Sequence, residues 1–267
     1  MFFESEKRVG VAAAFKAAEV LRKKLGRLKQ IDKKGANDLV TEADAESEKV
    51  IIATIRNAFP HHGILAEESG SDVGSDSRCC WIIDPLDGTT NFAHELGLFS
   101  ISIAYSERQE LVLGIILSPM TDELFIAARG RGAFLNGRPI RVSDVKTVSD
   151  SLLVTGFPYN VELVFAPMMK RFASCLKVSQ GVRRLGSAAL DLCYVACGRF
   201  DAFWEQNLKP WDTAAGVVIA GEAGAVITDF SDSAFTLDKR EILASNGKIH
   251  QEMLSLLNLK DGTCEKS

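Results

Sequence analysis

Apolar side chains recur every three or four positions near the start of the chain, which is the period of an α-helix. This spacing predicts an amphipathic helix over residues 5–28. It predicts a second helix over residues 41–59, where Thr41 and Asp44 have the spacing of a capping box and Pro60 follows the last apolar position. We therefore expect two amphipathic helices, each with one face to bury.

Beyond Pro60 the apolar residues form short runs bounded by turn residues, which indicates β-strands. In the first half of the chain these runs lie at 63–66, 80–83, 99–105, 111–117 and 123–128. Residues 70–78, rich in Ser, Asp and Gly, predict a surface loop, and Asn136-Gly137 predicts a hairpin turn. In the second half, strands are predicted at 151–155, 202–205, 226–229 and 242–245, and helices at 164–176, 187–197, 212–223 and 248–257. The predicted fold class is α/β (α+β layered), with helices packed on mixed sheets.

The composition is that of an ordinary globular protein, with 46% hydrophobic and 25% charged residues. The formal net charge of -4 argues against direct binding of nucleic acid, which favours a basic surface. No apolar run approaches the roughly 20 residues of a membrane span, and Glu4 stands where a signal peptide would continue with apolar residues. The six cysteines contain no CxxC pair, which is typical of reduced thiols. We therefore expect a cytoplasmic protein with no membrane partner.

Four acidic residues stand where predicted strands end or a predicted helix begins. Glu67 follows the strand 63–66, Asp84 follows the strand 80–83, Asp87 comes three residues later, and Asp212 begins a helix. Because strand ends converge at one edge of a sheet, we expect these carboxylates to lie close together. Oxygen ligands without His or Cys suit Mg²⁺, Mn²⁺ or Ca²⁺. The alternative for Asp84 and Asp212 is a helix-capping role alone.

The residues after Asp87 add a candidate phosphate site. Gly88 permits close backbone approach, and Thr89-Thr90 look like the opening of a helix, whose free N–H groups attract anions. A phosphate bound there would lie beside cations held by Asp84 and Asp87. By spacing alone, however, Asp-Gly is also a common turn.

These segments together resemble the inositol monophosphatase family. Trp81-Ile-Ile-Asp-Pro-Leu-Asp-Gly-Thr-Thr-Asn-Phe92 resembles the family's first signature, and Trp211-Asp-Thr-Ala-Ala-Gly216, continuing to Glu222-Ala-Gly224, resembles the second. Three further segments match in the family's order: Asp38-Leu-Val-Thr-Glu-Ala-Asp44, Glu67-Glu-Ser69 and Gly186-Ser-Ala-Ala-Leu-Asp191. The resemblance runs from about residue 33 to 247. One departure is Ala225, where many relatives carry glycine, and it lies outside the acidic set.

The resemblance implies a single domain over 1–267, with the first signature in 1–145 and the second in 146–267. The implied fold is an α-β-α-β-α sandwich of the sugar-phosphatase type, usually assembled as a homodimer. The implied reaction is hydrolysis of a phosphate monoester by water activated by two to three Mg²⁺ ions, with Mn²⁺ as an alternative and with inhibition by lithium. In two-metal chemistry one ion lowers the pKa of bound water and the other offsets charge on the leaving oxygen.

The family's site residues carry over onto matching positions. Metal ligands would be Glu67, Asp84, Asp87 and Asp212, with the carbonyl of Leu86. Glu67 and Thr89 would be catalytic, because together they would position and deprotonate the attacking water. The backbone of Gly88 and Thr89 would bind phosphate, and Asp87, Ala188 and Glu205 would face the hydroxyls of the alcohol.

Three further residues are candidates for the site, and each has an alternative role that involves no function. Asp44 would act near the metals or serve only as negative charge at a helix N-terminus. Lys33 would steer phosphate or lie in a solvated basic turn. Arg183, with Arg184, would approach substrate across a subunit interface or be ordinary surface charge.

The expected substrate is inositol 1-phosphate, since Glu205 is suited to accept hydrogen bonds from a small phosphorylated polyol. Related proteins hydrolyse other small esters, including fructose 1,6-bisphosphate, 3'-phosphoadenosine 5'-phosphate, histidinol phosphate and NADP. A second alternative is a relative that binds the transcription machinery as a protein partner, with catalysis secondary. Turnover of several esters distinguishes inositol 1-phosphate from the other substrates, and capture of a protein partner tests the hypothesis of a transcription role.

Overall fold

The computed structural model describes residues 3–28, 39–158 and 161–259, and also the backbone of 31–33. The helices of these residues are α1 (Glu4–Lys24), α2 (Glu42–Ala58), α3 (Thr89–Ala93), α4 (Val161–Val178), α5 (Ala188–Ala196), α6 (Pro210–Glu222) and α7 (His250–Leu257). The strands are β1 (Ile31–Lys33), β2 (Leu39–Thr41), β3 (His62–Ala66), β4 (Gly70–Asp72), β5 (Asp76–Asp87), β6 (Ser100–Glu107), β7 (Glu110–Ser118), β8 (Glu123–Ala128), β9 (Ala133–Leu135), β10 (Arg138–Ile140), β11 (Leu152–Thr155), β12 (Gly181–Arg183), β13 (Ala202–Gln206), β14 (Val226–Thr228) and β15 (Glu241–Ser245).

The capping box predicted for the second helix is present at the start of α2. The Thr41 hydroxyl accepts a hydrogen bond from the Ala43 amide at 3.1 Å, and the Thr41 amide donates to Asp44 Oδ2 at 2.8 Å. The first helix, in contrast, ends at Lys24 rather than at residue 28. Leu25 leaves the helical conformation there, and Gly26 has a φ of 70°.

The larger sheet has eight strands in the order β10-β9-β8-β7-β6-β5-β3-β4. Only the β3–β5 pair is parallel, and the other pairs are antiparallel. Side chains alternate across the central strand β5, as strand geometry requires. Trp81 and Ile83 pack towards α1 and α2, while Ile82 packs towards α5 and α6. The strand is buried on both faces, so it ends inside the molecule and carries Asp84 and Asp87 there.

The smaller sheet completes a layered arrangement. Its five strands have the order β12-β11-β13-β15-β14 and mix parallel with antiparallel pairs. Helices α5 and α6 fill the space between the two sheets, where Leu190 and Ile219 share one apolar cluster with Ile82 and Phe203. The outer face of the smaller sheet is covered by α4 and α7. The α-β-α-β-α sandwich expected from the sequence is confirmed.

Some local predictions need correction. The predicted loop 70–78 contains β4, which pairs with β3, and β5 begins at Asp76 within the same stretch. Its polar composition concealed a strand at the exposed edge of the sheet, where no apolar face is required. Among the described helices, none has both the length and the apolar character needed to cross a membrane.

Glu222, from the second signature, has a structural role at the C-terminal end of α6. Its carboxylate accepts hydrogen bonds from three successive backbone amides, those of Gly130, Arg131 and Gly132, at 2.7–3.1 Å. This contact ties the C-terminal end of α6 to the β8–β9 turn. Because α6 carries Asp212 in its first turn, these hydrogen bonds hold in place the helix that positions the Asp212 carboxylate.

We predict that Glu222→Ala lowers the free energy of unfolding by about 1–2 kcal/mol, because three backbone amides, of which that of Gly132 is partly buried, lose a charged acceptor. Urea denaturation measures the change. Glu110→Ala is the matched control, since Glu110 is an exposed partner of Arg129 and its loss should change stability by less than about 0.5 kcal/mol. Equal effects of the two substitutions would show that the turn contact does not stabilise α6.

Candidate active site

One cavity of about 250 Å³ lies where β5, α3, α5 and α6 meet. Six acidic residues line it: Glu67, Asp84, Asp87, Asp191, Glu205 and Asp212. The other lining residues include Leu86, Gly88, Thr89, Gly156, Phe157, Arg184, Ser187, Ala188, Lys209 and Trp211. The cavity therefore brings together the four carboxylates that the sequence placed at element ends.

The end of β5 positions two of these carboxylates. The pairing of β5 with β6 shifts register between Asp84, opposite Ser102, and Asp87, opposite Ser100, so the chain bulges there. Asp84 is 2% exposed, and its Oδ1 accepts a hydrogen bond from the Leu86 amide at 2.9 Å. Both acids thus point from one strand end with their backbone held by the sheet.

Asp87 is also held by the N-terminus of α5. Its Oδ2 accepts hydrogen bonds from the Ser187 hydroxyl at 2.6 Å and from the Ala189 amide at 2.8 Å. Ser187 is the N-cap of that helix. An acid at a helix N-terminus is stabilised by the free amides and the helix dipole, so α5 fixes Asp87 across 100 residues of sequence.

Asp212 and Glu67 come from two further elements. Asp212 lies in the first turn of α6, which begins at Pro210, and its Oδ2 accepts from the Lys209 amide at 2.7 Å. The capping role considered for Asp212 is therefore real, and the residue lines the cavity as well. Glu67 follows β3, and its amide donates to the Ile83 carbonyl of β5 at 3.2 Å.

Thr89 connects the cavity to Asp44, which the sequence left between two roles. The Thr89 hydroxyl lies 3.1 Å from Asp44 Oδ1 and 3.1 Å from the Leu86 carbonyl oxygen. Asp44 itself is not among the lining residues, but it is 1% exposed and contacts the lining through this hydroxyl. Gly88, with a φ of 101°, makes the sharp turn that carries the chain from β5 into α3.

Ala188 and Glu205 also line the cavity. Glu205, on β13, is 7% exposed, and its carboxylate lies against the backbone of Gly156. A Cβ atom at position 156 would stand 2.0 Å from Glu205 Oε2, so only glycine leaves space for this carboxylate. Asp87, Ala188 and Glu205, the residues expected to face the alcohol portion of a substrate, therefore all line the cavity.

A model of the inositol monophosphatase family matches residues 4–259, which is nearly the whole chain. The chain belongs to the inositol monophosphatase family. The resemblance seen in its sequence segments is thus confirmed, and the family is one of phosphatases.

Individual relatives of this family member carry two kinds of name. An inositol-1-monophosphatase of Synechocystis sp. is 47% identical over 87% of this chain and 81% of its own length. A Nus factor SuhB of Pseudomonas aeruginosa is 42% identical over 93% of this chain and 94% of its own length. The solved structure of an inositol monophosphatase from Anabaena (Nostoc) sp. superposes with a TM-score of 0.87 at 42% identity, covering 96% of each chain.

The carboxylates of this inositol monophosphatase family member repel one another. Burial raises the pKa of Asp84 well above its usual value, and the negative charges of Glu67, Asp87 and Asp212 raise it further. Burial likewise raises the pKa of Asp212. It raises the pKa of Asp87 to about 6, although hydrogen bonds from Ser187 and Ala189 oppose the shift. The cluster therefore needs either protons or cations to remain together.

The donor set fits a hard divalent cation, because carboxylate and carbonyl oxygens are the ligands that Mg²⁺ prefers. In the described parts of the chain, no three Asp, Glu, His or Cys side chains are grouped closely enough to enclose one ion by themselves. An ion bound in this geometry would be coordinated by fewer than three carboxylates, and backbone carbonyl, phosphate and water oxygens would complete its ligand set. The Leu86 carbonyl oxygen, already beside Thr89, is available for such a role.

Some sequence candidates lie elsewhere, and some lining residues were missed. Arg183 ends β12 as an exposed residue outside the cavity, while its neighbour Arg184 lines it. The Lys33 side chain lies outside the described part of the structure. Lys209 and Asp191 also line the cavity. The sequence pointed to them only through their positions: Lys209 precedes the second signature, and Asp191 ends the matching segment 186–191.

We predict that, without divalent cations, the protein loses stability as the pH rises from about 4 through 6. Asp87 has a higher pKa in the folded chain, about 6, than its ordinary 3.8, so its favourable contribution is complete below the lower value and is lost above the higher one. Asp87→Asn cannot ionise and should flatten this decline. Urea denaturation at several pH values in a chelating buffer measures it, and an identical slope in the variant would contradict the assignment.

Proposed function

We propose that the protein is an Mg²⁺-dependent phosphomonoesterase that hydrolyses inositol 1-phosphate to inositol and phosphate. One observation carries the proposal: four carboxylates, the Thr89 hydroxyl, which is hydrogen-bonded to Asp44, and the buried Glu205 lie around a single cavity of about 250 Å³. The four carboxylates suit cations that would bind a phosphate group. Glu205 suits a small alcohol with hydroxyl groups.

Glu67, Asp84, Asp87 and Asp212 would hold the cations, with the carbonyl oxygen of Leu86. Bound Mg²⁺ supplies a lowered pKa for coordinated water and positive charge for the phosphate and leaving-group oxygens. The hydrogen bonds from Leu86, Ser187 and Lys209 each engage one carboxylate oxygen of Asp84, Asp87 and Asp212. These bonds fix the direction of the carboxylates before any ligand arrives, which is the preorganisation that catalysis requires.

Thr89 would orient the attacking water together with Glu67. Its hydroxyl donates towards Asp44 Oδ1, while Asp44 Oδ2 is occupied by the Thr41 amide and hydroxyl. Burial raises the pKa of Asp44, so this carboxylate is a better proton acceptor than an exposed aspartate. A proton leaving the water can therefore pass through the Thr89 hydroxyl to Asp44 as the oxygen attacks phosphorus.

The backbone of Gly88 and Thr89 would bind the phosphate, and Asp87, Ala188 and Glu205 would bind hydroxyls of the leaving alcohol. Support for a polyol comes from Glu205, whose carboxylate is buried beside Gly156 and lines the cavity. Fructose 1,6-bisphosphate and the other small esters remain alternatives at the same site. Their turnover, measured beside that of inositol 1-phosphate, ranks them.

We predict that Asp84→Asn and Asp212→Asn each lower kcat by at least about a hundredfold, because the cations lose a charged ligand while the fold keeps a side chain of the same shape. Release of phosphate from inositol 1-phosphate with Mg²⁺ measures the loss, and excess chelator should abolish wild-type turnover. Asp201→Asn is the matched control. Asp201 is 6% exposed and accepts from the Leu152 amide, but it does not line the cavity.

Mg²⁺-dependent turnover near the wild-type rate in either ligand variant would refute the two-metal assignment. Equal losses in Asp201→Asn would show that removing any buried aspartate disturbs the protein. Wild-type turnover that survives the chelator would refute the role of divalent cations.

A second candidate function is association with the transcription machinery. It is favoured by the Pseudomonas aeruginosa relative, whose name is Nus factor SuhB and which is 42% identical over 93% of this chain. We expect purified Asp84→Asn protein to capture transcription factors from a lysate as well as wild type does, because association would use the surface and not the cavity. No capture by either protein would remove this candidate.

The proposed enzyme would act as a homodimer. Support comes from α4, where Phe165 is 55% exposed and Met169, one turn later on the same face, is 36% exposed. Neighbouring exposed apolar side chains of this size mark surfaces that associate.

A further inference from the structure

Asp191 is a buried carboxyl group without a partner. It lies on α5 and is 1% exposed, and neither of its oxygens makes a hydrogen bond among the described residues. In the same residues, the only other buried side-chain polar atom in this condition is the Ser179 hydroxyl. Buried polar atoms are nearly always paired, so an exception on this scale calls for an explanation.

The fold gains nothing from this carboxyl group. Its neighbours Leu190 and Leu192 are fully buried apolar residues of the layer between the sheets. An apolar side chain at position 191 would avoid the free-energy cost of burying an unpaired carboxyl. Residues that break a packing rule in this way are concentrated at functional sites.

Asp191 lines the same cavity as the carboxylates described above. The charges that act on it belong to Glu205, Asp87 and Arg184, and all three are lining residues. One turn before Asp191, the start of α5 supplies Ala188 to the cavity wall and Ser187 to Asp87. Asp191 therefore lies in the wall of the cavity, near Glu205 and Asp87.

We propose that Asp191 is a specificity-determining residue that, beside Glu205, forms a hydrogen bond with a hydroxyl group of a phosphorylated polyol. The inference rests on the proposed phosphatase function and assigns one further contact to it. A hydroxyl is the group that suits this carboxyl group, because a hydroxyl can both donate and accept a hydrogen bond, whereas the negative charges of Glu205 and Asp87 beside Asp191 would repel a second phosphate.

The electrostatic environment agrees with this ligand. Burial raises the pKa of Asp191 well above its ordinary value, and the charge of Glu205 raises it further. An uncharged carboxyl group both donates and accepts one hydrogen bond, as a hydroxyl group does. A hydroxyl group of bound substrate would thus be the hydrogen-bond partner that Asp191 lacks among the described residues.

Two esters separate this contact from the rest of the site. Inositol 1-phosphate presents ring hydroxyls, whereas 4-nitrophenyl phosphate has none. We expect Asp191→Leu to lower kcat/KM for inositol 1-phosphate at least about tenfold, since a site built to bind a hydroxyl loses its partner. The same variant should change kcat/KM for 4-nitrophenyl phosphate less than about threefold. Asp191→Asn, which keeps an acceptor and a donor, should recover most of the loss.

Stability provides the second measurement. Asp191→Leu should unfold at the same or a higher temperature than wild type, because it removes an unpaired buried carboxyl. Asp201→Asn should unfold at a lower temperature and leave the ratio of the two esters unchanged, since Asp201 is hydrogen-bonded and remote from the cavity. If Asp191→Leu does not fold, Asp191→Val, which also removes the carboxyl group, takes its place, and an ester ratio equal to that of Asp201→Asn overturns the proposal.

The outcomes distinguish this inference from the function on which it rests. Wild-type protein that releases phosphate from neither ester, with Mg²⁺ present, refutes the proposed function. Wild-type protein that hydrolyses both esters, with Asp191→Leu lowering both by the same factor or lowering neither, leaves the function standing and overturns the role of Asp191. Hydrolysis of 4-nitrophenyl phosphate alone also overturns it, because no polyol is then bound.

Discussion

Mutual repulsion among carboxylates in one buried space is the constraint on which this structure depends. Glu67, Asp84, Asp87 and Asp212 come from three different parts of the chain, and burial raises the pKa of the last three. Water would screen these charges at the surface, but the cavity removes most of it. The arrangement is stable only with protons or cations present, and that requirement supports the metal site proposed above.

The scaffold resists this repulsion by fixing each acid through the backbone near it. The bulge at the end of β5 sets Asp84 and Asp87, the N-terminus of α5 holds Asp87, and the first turn of α6 holds Asp212. These elements are themselves anchored in the apolar layer between the two sheets. The same helices thus serve as core and as charged site, because their buried sides pack while their N-terminal turns face the cavity.

The sequence predicted the larger elements well, since long periodic runs report burial directly. It missed β1, β2, β4 and β12, which have three residues each and are too short to show a period. The acids at strand ends were predicted to converge because topology alone brings such ends together. The contact between Thr89 and Asp44 was not predicted as a pair, since it joins residues 45 positions apart. Arg184 was named only beside Arg183, and Asp191 only as the end of a matching segment; their places in the cavity could not be predicted, because their surroundings come from other elements.

The number of protons released when Mg²⁺ binds tests the central claim most directly. Calorimetric titration of metal-free protein near pH 6, in two buffers of different ionisation enthalpy, counts them. We expect saturable binding with net release of protons, and a smaller release in Asp87→Asn, because cations replace protons on the acidic cluster. Failure to bind Mg²⁺, or binding without release of protons, would contradict the account.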